Sequence, residues 1–441
     1  MQQSQMLRLV VVLLLVLLLQ IPTWMIGGVI RERRTRRTEA VEDISSKWGR
    51  QQIVTGPALV IPYTHRWTEI AAGGLRVDRT EVRHATFLPD RLAFRGKIAG
   101  ESRSRGIFSV PVYKAMFQVA GEFSRPRFRD WNVPDGDIQW DKAQLAVGIS
   151  DVRAIQERPT LAWNQQALPF QPGTGAYLGA VTGVHATVGD VSRDSSLAFS
   201  FPLDLNGSVG AYFTPFGGKT TVDLESNWGS PSFQGNWLPA RRTVSDQGFQ
   251  ASWSIPYLGR NYPQSWLAGT VSREALDASR FGVDLISPVD EHRMADRSVK
   301  YAGLFILLTF AAIWLTEVLG RMRVHPIQYL LVGAALCLFY LLELSLSEHV
   351  GFGVAYLLAT AAIVGMVSAY SLAVLRTRRR ALVIGTMVAA LYGYLYVLLN
   401  NEDYALLVGS IGLFAILAAI MYLTRRTDWY AAASPESPRA G

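Results

Sequence analysis

Three stretches near the C-terminus, Phe352–Leu375, Ala381–Leu399 and Tyr404–Leu423, follow one another without a single charged residue. A soluble helix of such length needs a wet face, so three in succession require lipid. The hydrocarbon core of a bilayer is about 30 Å thick and takes about 20 apolar residues as a helix. Two further stretches, Tyr301–Leu319 and Gln328–Leu346, meet that length with one acid each, Glu317 and Glu343. Leu9–Ile30 meets it at the N-terminus, blemished only by Gln20 and Pro22. It exceeds the roughly 7–15 apolar residues of a signal peptide, and no small-x-small cleavage pattern follows it. It therefore reads as an uncleaved signal anchor. The fold class that follows is a membrane protein with six α-helical transmembrane spans, one N-terminal and five C-terminal, and a large domain between spans one and two.

Only 18% of the residues are charged, against about 25% in soluble chains. The single cysteine, Cys337, leaves no intrachain disulfide framework and no cysteine-rich zinc or iron–sulfur site. The net charge of +8 fits nucleic acid, anionic lipid or membrane topology, and placement decides between them. Arg321 and Arg323 follow span two, Arg376 and Arg378–Arg380 follow span four, and Arg425 and Arg426 follow span six. The loops Ser347–Gly351 and Asn400–Asp403 hold acids but no lysine or arginine. Short-loop arginines mark the cytoplasmic side. Both termini are then expected in the cytoplasm and residues 31–300 outside. Topology accounts for the arginines without nucleic acid. One feature objects: Arg31, Arg33, Arg34, Arg36 and Arg37 follow span one directly. Four loops and tails agree against it, and long domains respond weakly to charge.

The expected divisions are an anchor (1–30), an outer β-rich domain (31–300), a five-span bundle (301–424) and a cytoplasmic tail (425–441). Val41, Ile44 and Trp48 make one apolar stripe of a helix continuing the anchor as a stalk. Beyond it Gly56–Tyr63 is a buried-strand run, and Leu92–Ile98 and Phe117–Phe123 alternate apolar and polar residues. Leu197–Phe201, Val209–Phe213 and Thr220–Leu224 are short strands between turn residues. This spacing predicts a sandwich-like or α+β fold, with Pro169–Gly183 as a divider between two lobes. Its nine tryptophans serve either core packing or a stacking surface for sugar or the membrane interface.

Catalytic signatures are scarce. Gly218-Lys219-Thr220 lacks the upstream glycine of a phosphate loop, Phe213 standing there instead, so it reads as a turn. His65, His84 and His185 match no zinc spacing. Asp151 and Arg153 read as a structural ion pair or a strand-end cap. No cofactor is expected. The residues that stand out belong to the membrane segments: Glu317 at the cytoplasmic end of span two, within a turn of Arg321; Glu343 in span three; and Glu348 and His349 just beyond it. An intramembrane carboxylate is a functional candidate by default. Two readings of Glu343 are open: reach to the outer interface, or hydrogen bonding to neighbouring spans. Tyr392, Tyr394 and Tyr396 read as an interfacial aromatic belt. No broken helix pair and no inverted repeat is expected, which counts against a secondary transporter.

The anchor, outer domain and five-span tail resemble the CreD family of bacterial inner membrane proteins. The resemblance lies in "GPALVIPY" (Gly56–Tyr63), "SNWGSPSFQGNWLPARRTVSDQGFQASW" (Ser226–Trp253), "DRSVKYAGLF" (Asp296–Phe305), "HPIQYLLVGAALCLFYLLELSLSEHVGF" (His325–Phe352) and "LTRRTDWY" (Leu423–Tyr430). It covers nearly the whole chain. It implies a multi-span protein of the Gram-negative inner membrane, associated with envelope integrity, a two-component regulon and responses to β-lactams and colicins. It brings no catalytic motif. Two functions follow. One is a non-enzymatic protein whose outer domain binds an envelope component, with the lipid bilayer and a periplasmic protein or the cell wall as partners. The other is a membrane-embedded enzyme or carrier for an envelope lipid or cell-wall precursor, with Glu343, Glu348, His349 and His292 lining its site.

Overall fold

The computed structural model describes residues 5–70, 76–174, 182–192, 197–285, 291–320, 324–375, 377–401 and 404–425. The chain divides into two units, Thr38–Pro288 and Met1–Arg37 with Val289–Gly441.

The first unit is a β-sandwich. Its nine-stranded sheet runs Pro231–Gly235, Phe281–Leu285, Gly210–Phe213, Gln52–Ile70, Gln144–Ile149, Gly183–Thr187, Gln171–Pro172, with Arg76–Phe87 pairing Gln52–Ile70 and Ser265–Leu267 pairing Arg76–Phe87. The eight-stranded sheet runs Arg241–Ser245, Gly248–Pro256, Lys219–Ser226, Arg91–Arg105, Phe108–Phe123, Leu197–Ser208, Thr160–Trp163, Gln166–Pro169. Period two decides which face packs. In Lys219–Ser226 the side chains of Thr220, Val222, Leu224 and Ser226 are buried while Lys219, Asp223 and Glu225 are exposed. The apolar run Gly56–Tyr63 is buried throughout, as a strand covered on both faces must be. Rings join the sheets: Phe213 lies 4.9 Å from Phe94 and 5.4 Å from Phe117, and Trp253 lies 5.8 Å from Phe281. Trp163 and Trp253 belong to this core, whereas Trp67 is 39% exposed on a projecting hairpin.

One continuous core reaches from Val54 to Leu285. The stretch Pro169–Gly183 therefore separates no lobes. Gln171–Pro172 and Gly183–Thr187, at its two ends, pair with each other in one sheet, and residues 175–181 lie outside the described residues.

Helix α1 (Gln5–Trp48) is continuous through the anchor and the expected stalk. It ends at Gly49, whose φ is +143° and whose N–H donates to the Ser45 carbonyl. Within the β unit, Trp48 Nε1 donates to the Tyr113 carbonyl at 3.2 Å, and the Arg103 guanidinium lies 3.5 Å from the indole centroid. Helix α2 (Arg273–Ala278) is a short surface helix capped by Ser272.

The second unit contains α3 (Glu291–Lys300), α4 (Ala302–Gly320), α5 (Pro326–Val350), α6 (Phe352–Leu375), α7 (Arg378–Asn400) and α8 (Ala405–Thr424). Among the described residues, α1, α5, α6, α7 and α8 are each long and apolar enough to span a bilayer. Helices α3 and α4 meet that test together but bend by 42° at their junction, so the bundle does contain a broken pair. The bend falls where the charged pattern of Asp296, Arg297 and Lys300 gives way to the apolar run after Tyr301. Leu406 on α8 is 88% exposed and Phe414 75% exposed within the chain. Lipid is the solvent that such a surface tolerates.

Candidate functional site

The start of α5 is set by its sequence. His325 is the N-cap, Pro326 the first residue, and Gln328 closes a capping box by accepting from the His325 N–H at 3.0 Å. From that start, helical periodicity aims Phe339, Tyr340, Glu343, Leu344 and Ser347 into the bundle, where all are buried.

Glu343 is 0% exposed. Its Oε2 accepts from Ser298 Oγ of α3 at 2.7 Å, and its Oε1 has no partner among the described residues. Tyr340 is three positions earlier on the same face, and its hydroxyl is also buried without a partner. Tyr392 of α7 packs on Phe339, 4.2 Å between ring centroids, and its hydroxyl is the third such atom here. Tyr356 of α6 donates its hydroxyl to the Tyr392 carbonyl at 2.6 Å. Glu343 stands within electrostatic range of all three tyrosines. The carboxyl is seven residues from the end of α5, about 10 Å at 1.5 Å per residue.

Helix α3 holds this end of the bundle together. Beside Ser298, Arg297 sends Nη1 to the Leu399 carbonyl at 3.1 Å and Nη2 to the Leu398 carbonyl at 3.2 Å. These are end carbonyls of α7, where a cation is favoured. Arg33 of α1 lies 3.5 Å from Glu348 of α5. Part of the arginine run after the anchor is thus matched by an acid.

The candidate residues occupy separate places. Glu343 is interior and does not reach the interface. Glu348 meets Arg33, and His349 is exposed at the helix end. The His292 side chain lies outside the described residues. Glu343 and Glu348 thus take different partners, Ser298 and Arg33. Glu317 is buried and accepts from the Tyr329 hydroxyl at 3.1 Å, while Arg321 lies outside the described residues. Tyr392 is core rather than belt, because α7 turns that face toward Phe339. Tyr394 donates to the Val408 carbonyl of α8 at 2.5 Å. Ser298, Arg297 and Tyr340 escaped sequence reasoning. A serine in a charged segment carries no local sign of a partner 45 positions away.

The β unit offers fewer converging groups. The Gly217-Gly218 turn uses its own donors, Gly217 N–H to Thr220 Oγ1 and Gly218 N–H to the Pro89 carbonyl, both at 2.8 Å. His65 stacks on Trp67, and His185 Nδ1 lies 2.7 Å from the Gly173 carbonyl. His84 lines a surface cavity of about 250 Å³ with Asp141, Lys142, Gln144 and Thr187. Burial holds its imidazolium below the usual 6.5. Asp151 caps the turn Val152–Ala154 and bonds Arg153 at 3.0 Å. Among the described residues no group of three or more histidine, cysteine or acidic side chains is placed to hold a metal ion.

Residues 4–430 match the family described as Inner membrane protein CreD. The chain is 35% identical over 427 residues to Inner membrane protein CreD of Escherichia coli (strain K12), covering 96% of this chain and 93% of that protein. A solved structure of a substrate-bound M1 zinc metallopeptidase variant from Deinococcus radiodurans aligns over 49% of this chain and 54% of its own, at 8% identity and a TM-score of 0.20. A score that low supports no common fold or chemistry.

Proposed function

The chain belongs to the CreD family of inner membrane proteins, and on that premise we propose that it sustains the integrity of a bacterial cell envelope under stress without catalysing a reaction. The β domain (31–300 in this reading) binds a periplasmic protein or the cell wall, and the helices anchor it. Both termini, with the tail 425–441, are cytoplasmic.

The arrangement of the bundle's ends supports this orientation. Arg33, near the point where the chain leaves the bundle, meets Glu348 at the end of α5. Helix α3, where the chain returns, caps the end of α7 through Arg297. Departure and return therefore share one face of the bundle. Arg378–Arg380 begin α7 and lie at its opposite end. By the positive-inside rule that opposite end is cytoplasmic. The run Arg31–Arg37, which alone argues the reverse, is offset by Glu348 and by Glu32, which pairs with Arg36 at 2.6 Å.

Accessibility labelling tests the orientation. Val82→Cys, at a position 54% exposed on the projecting hairpin, should react with a membrane-impermeant thiol reagent in intact spheroplasts. Arg379→Cys should react only after lysis, and the opposite result overturns the reading. Photocrosslinking from Val82 in stressed cells tests the binding role. A single envelope component should be captured repeatedly, and no adduct above the unlabelled control refutes it.

A further inference from the structure

Three polar atoms in the bundle share one defect. Glu343 Oε1, the Tyr340 hydroxyl and the Tyr392 hydroxyl are all buried, and none has a hydrogen-bond partner among the described residues. Their side chains are 0%, 1% and 2% exposed. Tyr340 and Glu343 are one turn apart on α5, on faces that meet. Tyr392 reaches the same place from α7 through its packing on Phe339. Buried polar atoms are costly when unpaired, and three of them that do not reach one another need something between them. An internal water serves such groups, making about three hydrogen bonds.

Charge accounting adds a second constraint. An ionised carboxylate in this interior needs a cation or several donors, and Glu343 has one donor, Ser298. Helix α5 carries no lysine or arginine, nor does α6 from Phe352 to Leu375, and those of α7 are confined to its first turn. On α3, Arg297 is committed to the Leu398 and Leu399 carbonyls and Lys300 to Asp296 at 2.9 Å. On α1, Arg33 faces Glu348. The other groups within electrostatic range of Glu343 are the hydroxyls of Tyr340, Tyr356 and Tyr392.

We propose that Glu343 resides in the bundle as the neutral carboxylic acid and that its Oε1, with the hydroxyls of Tyr340 and Tyr392, encloses an internal water, making a hydrated proton-binding site within the membrane segment. Oε2 accepts from Ser298, the acid O–H at Oε1 donates to the water, and the water donates to the oxygens of both Tyr340 and Tyr392. Every atom of the trio is then satisfied and no net charge is buried. The site needs no assumption about orientation or about what the β domain binds.

Infrared spectroscopy of the full chain in lipid bilayers tests the acid. At neutral pH the wild type should show the carbonyl stretch of a protonated carboxyl. Glu343→Gln should abolish that band, and Glu317→Gln should leave it. Loss of only ionised-carboxylate bands in Glu343→Gln overturns the proposal. Water-edited solid-state NMR of the glutamate-labelled wild type tests the hydration. Transfer from water to the Glu343 carboxyl carbon is expected, and a dry carboxyl overturns it. If Glu343→Gln does not accumulate, Tyr340→Phe replaces it. The acid band should persist but shift toward weaker hydrogen bonding, and an unmoved band overturns the proposal.

Discussion

The bond between Ser298 and Glu343 ties α3 to α5, and a double-mutant cycle measures what it contributes. Ser298 is 0% exposed and donates to Glu343 Oε2 at 2.7 Å. Ser298→Ala removes the donor to Oε2 and leaves that oxygen buried and unpaired, and orphaning a buried polar group costs about 1–3 kcal/mol. Glu343→Leu removes acceptor and desolvation problem together at similar volume. The Ser298 hydroxyl is then free to bond the carbonyl one turn back on its own helix, so this single change should cost about 1 kcal/mol or less. The double variant should resemble Glu343→Leu, because the serine has no acceptor left to lose. The expected coupling is about 1–3 kcal/mol, well above the ~0.5 kcal/mol within which independent sites add. Thermal unfolding of the purified full chain in lipid or detergent reads it out. For a unit of this size 1 kcal/mol moves Tm by about 2–4 °C, so Ser298→Ala should lower Tm by about 2–12 °C. Additive single effects would show that the two side chains do not act as a pair.

Packing between the spans makes a second test. A Cβ added at Gly333 would lie 2.1 Å from Leu19 Cδ1 and 2.8 Å from Phe310 Cζ, whereas one added at Gly365 meets nothing within 4 Å. Gly333→Ala should lose about 1–3 kcal/mol by overpacking in the same unfolding assay and Gly365→Ala almost nothing; equal effects contradict this packing. At the end of α1, Gly49 combines a φ of +143° with a Cβ position 2.7 Å from the Asn206 carbonyl. Gly49→Ala should cost about 1–3 kcal/mol, seen as a lower Tm of the β domain. Burial alone would raise the Asp151 carboxyl, but hydrogen bonds from the Arg153 side chain and from the Arg50 and Arg153 N–H groups outweigh it and hold it below 3.8. Its contribution is therefore complete above that value and is lost as pH falls through the lower folded value. Asp151→Asn should cost about 1 kcal/mol at neutral pH, and the gap to wild type should close in strong acid; a gap that persists there rejects the linkage. Removing the α7 cap with Arg297→Ala should speed amide exchange in the last turn of α7, and unchanged exchange would mean those carbonyls do not rely on it.

Much of the architecture is readable from one dimension because it follows from local periodicity. The uncharged runs become α6, α7 and α8, since twenty apolar residues in lipid can satisfy their backbone only as helices. Gly56–Tyr63 becomes a central strand because it is apolar at every position, and Lys219–Ser226 a sandwich face because it alternates. The errors have one cause. Tyr392 near a helix end looks interfacial along the chain, yet it turns inward onto Phe339; of the two readings open for Glu343, the bond to a neighbouring helix is the one formed. Pro169–Gly183 looks like a divider, yet the strands at its ends pair with each other.

Sequence alone determined that the chain enters lipid repeatedly, that a β-rich domain lies between the anchor and the remaining spans, and which family it joins, because these depend on composition, period and local motif. Only the tertiary structure decided that Ser298 meets Glu343, that Arg297 caps α7, and that Tyr340 and Tyr392 leave their hydroxyls beside a buried carboxyl. The Ser298 and Arg297 pairings join residues 45 to about 100 positions apart. The rotation of each helix about its own axis sets them, and that rotation is fixed by how the helices pack together.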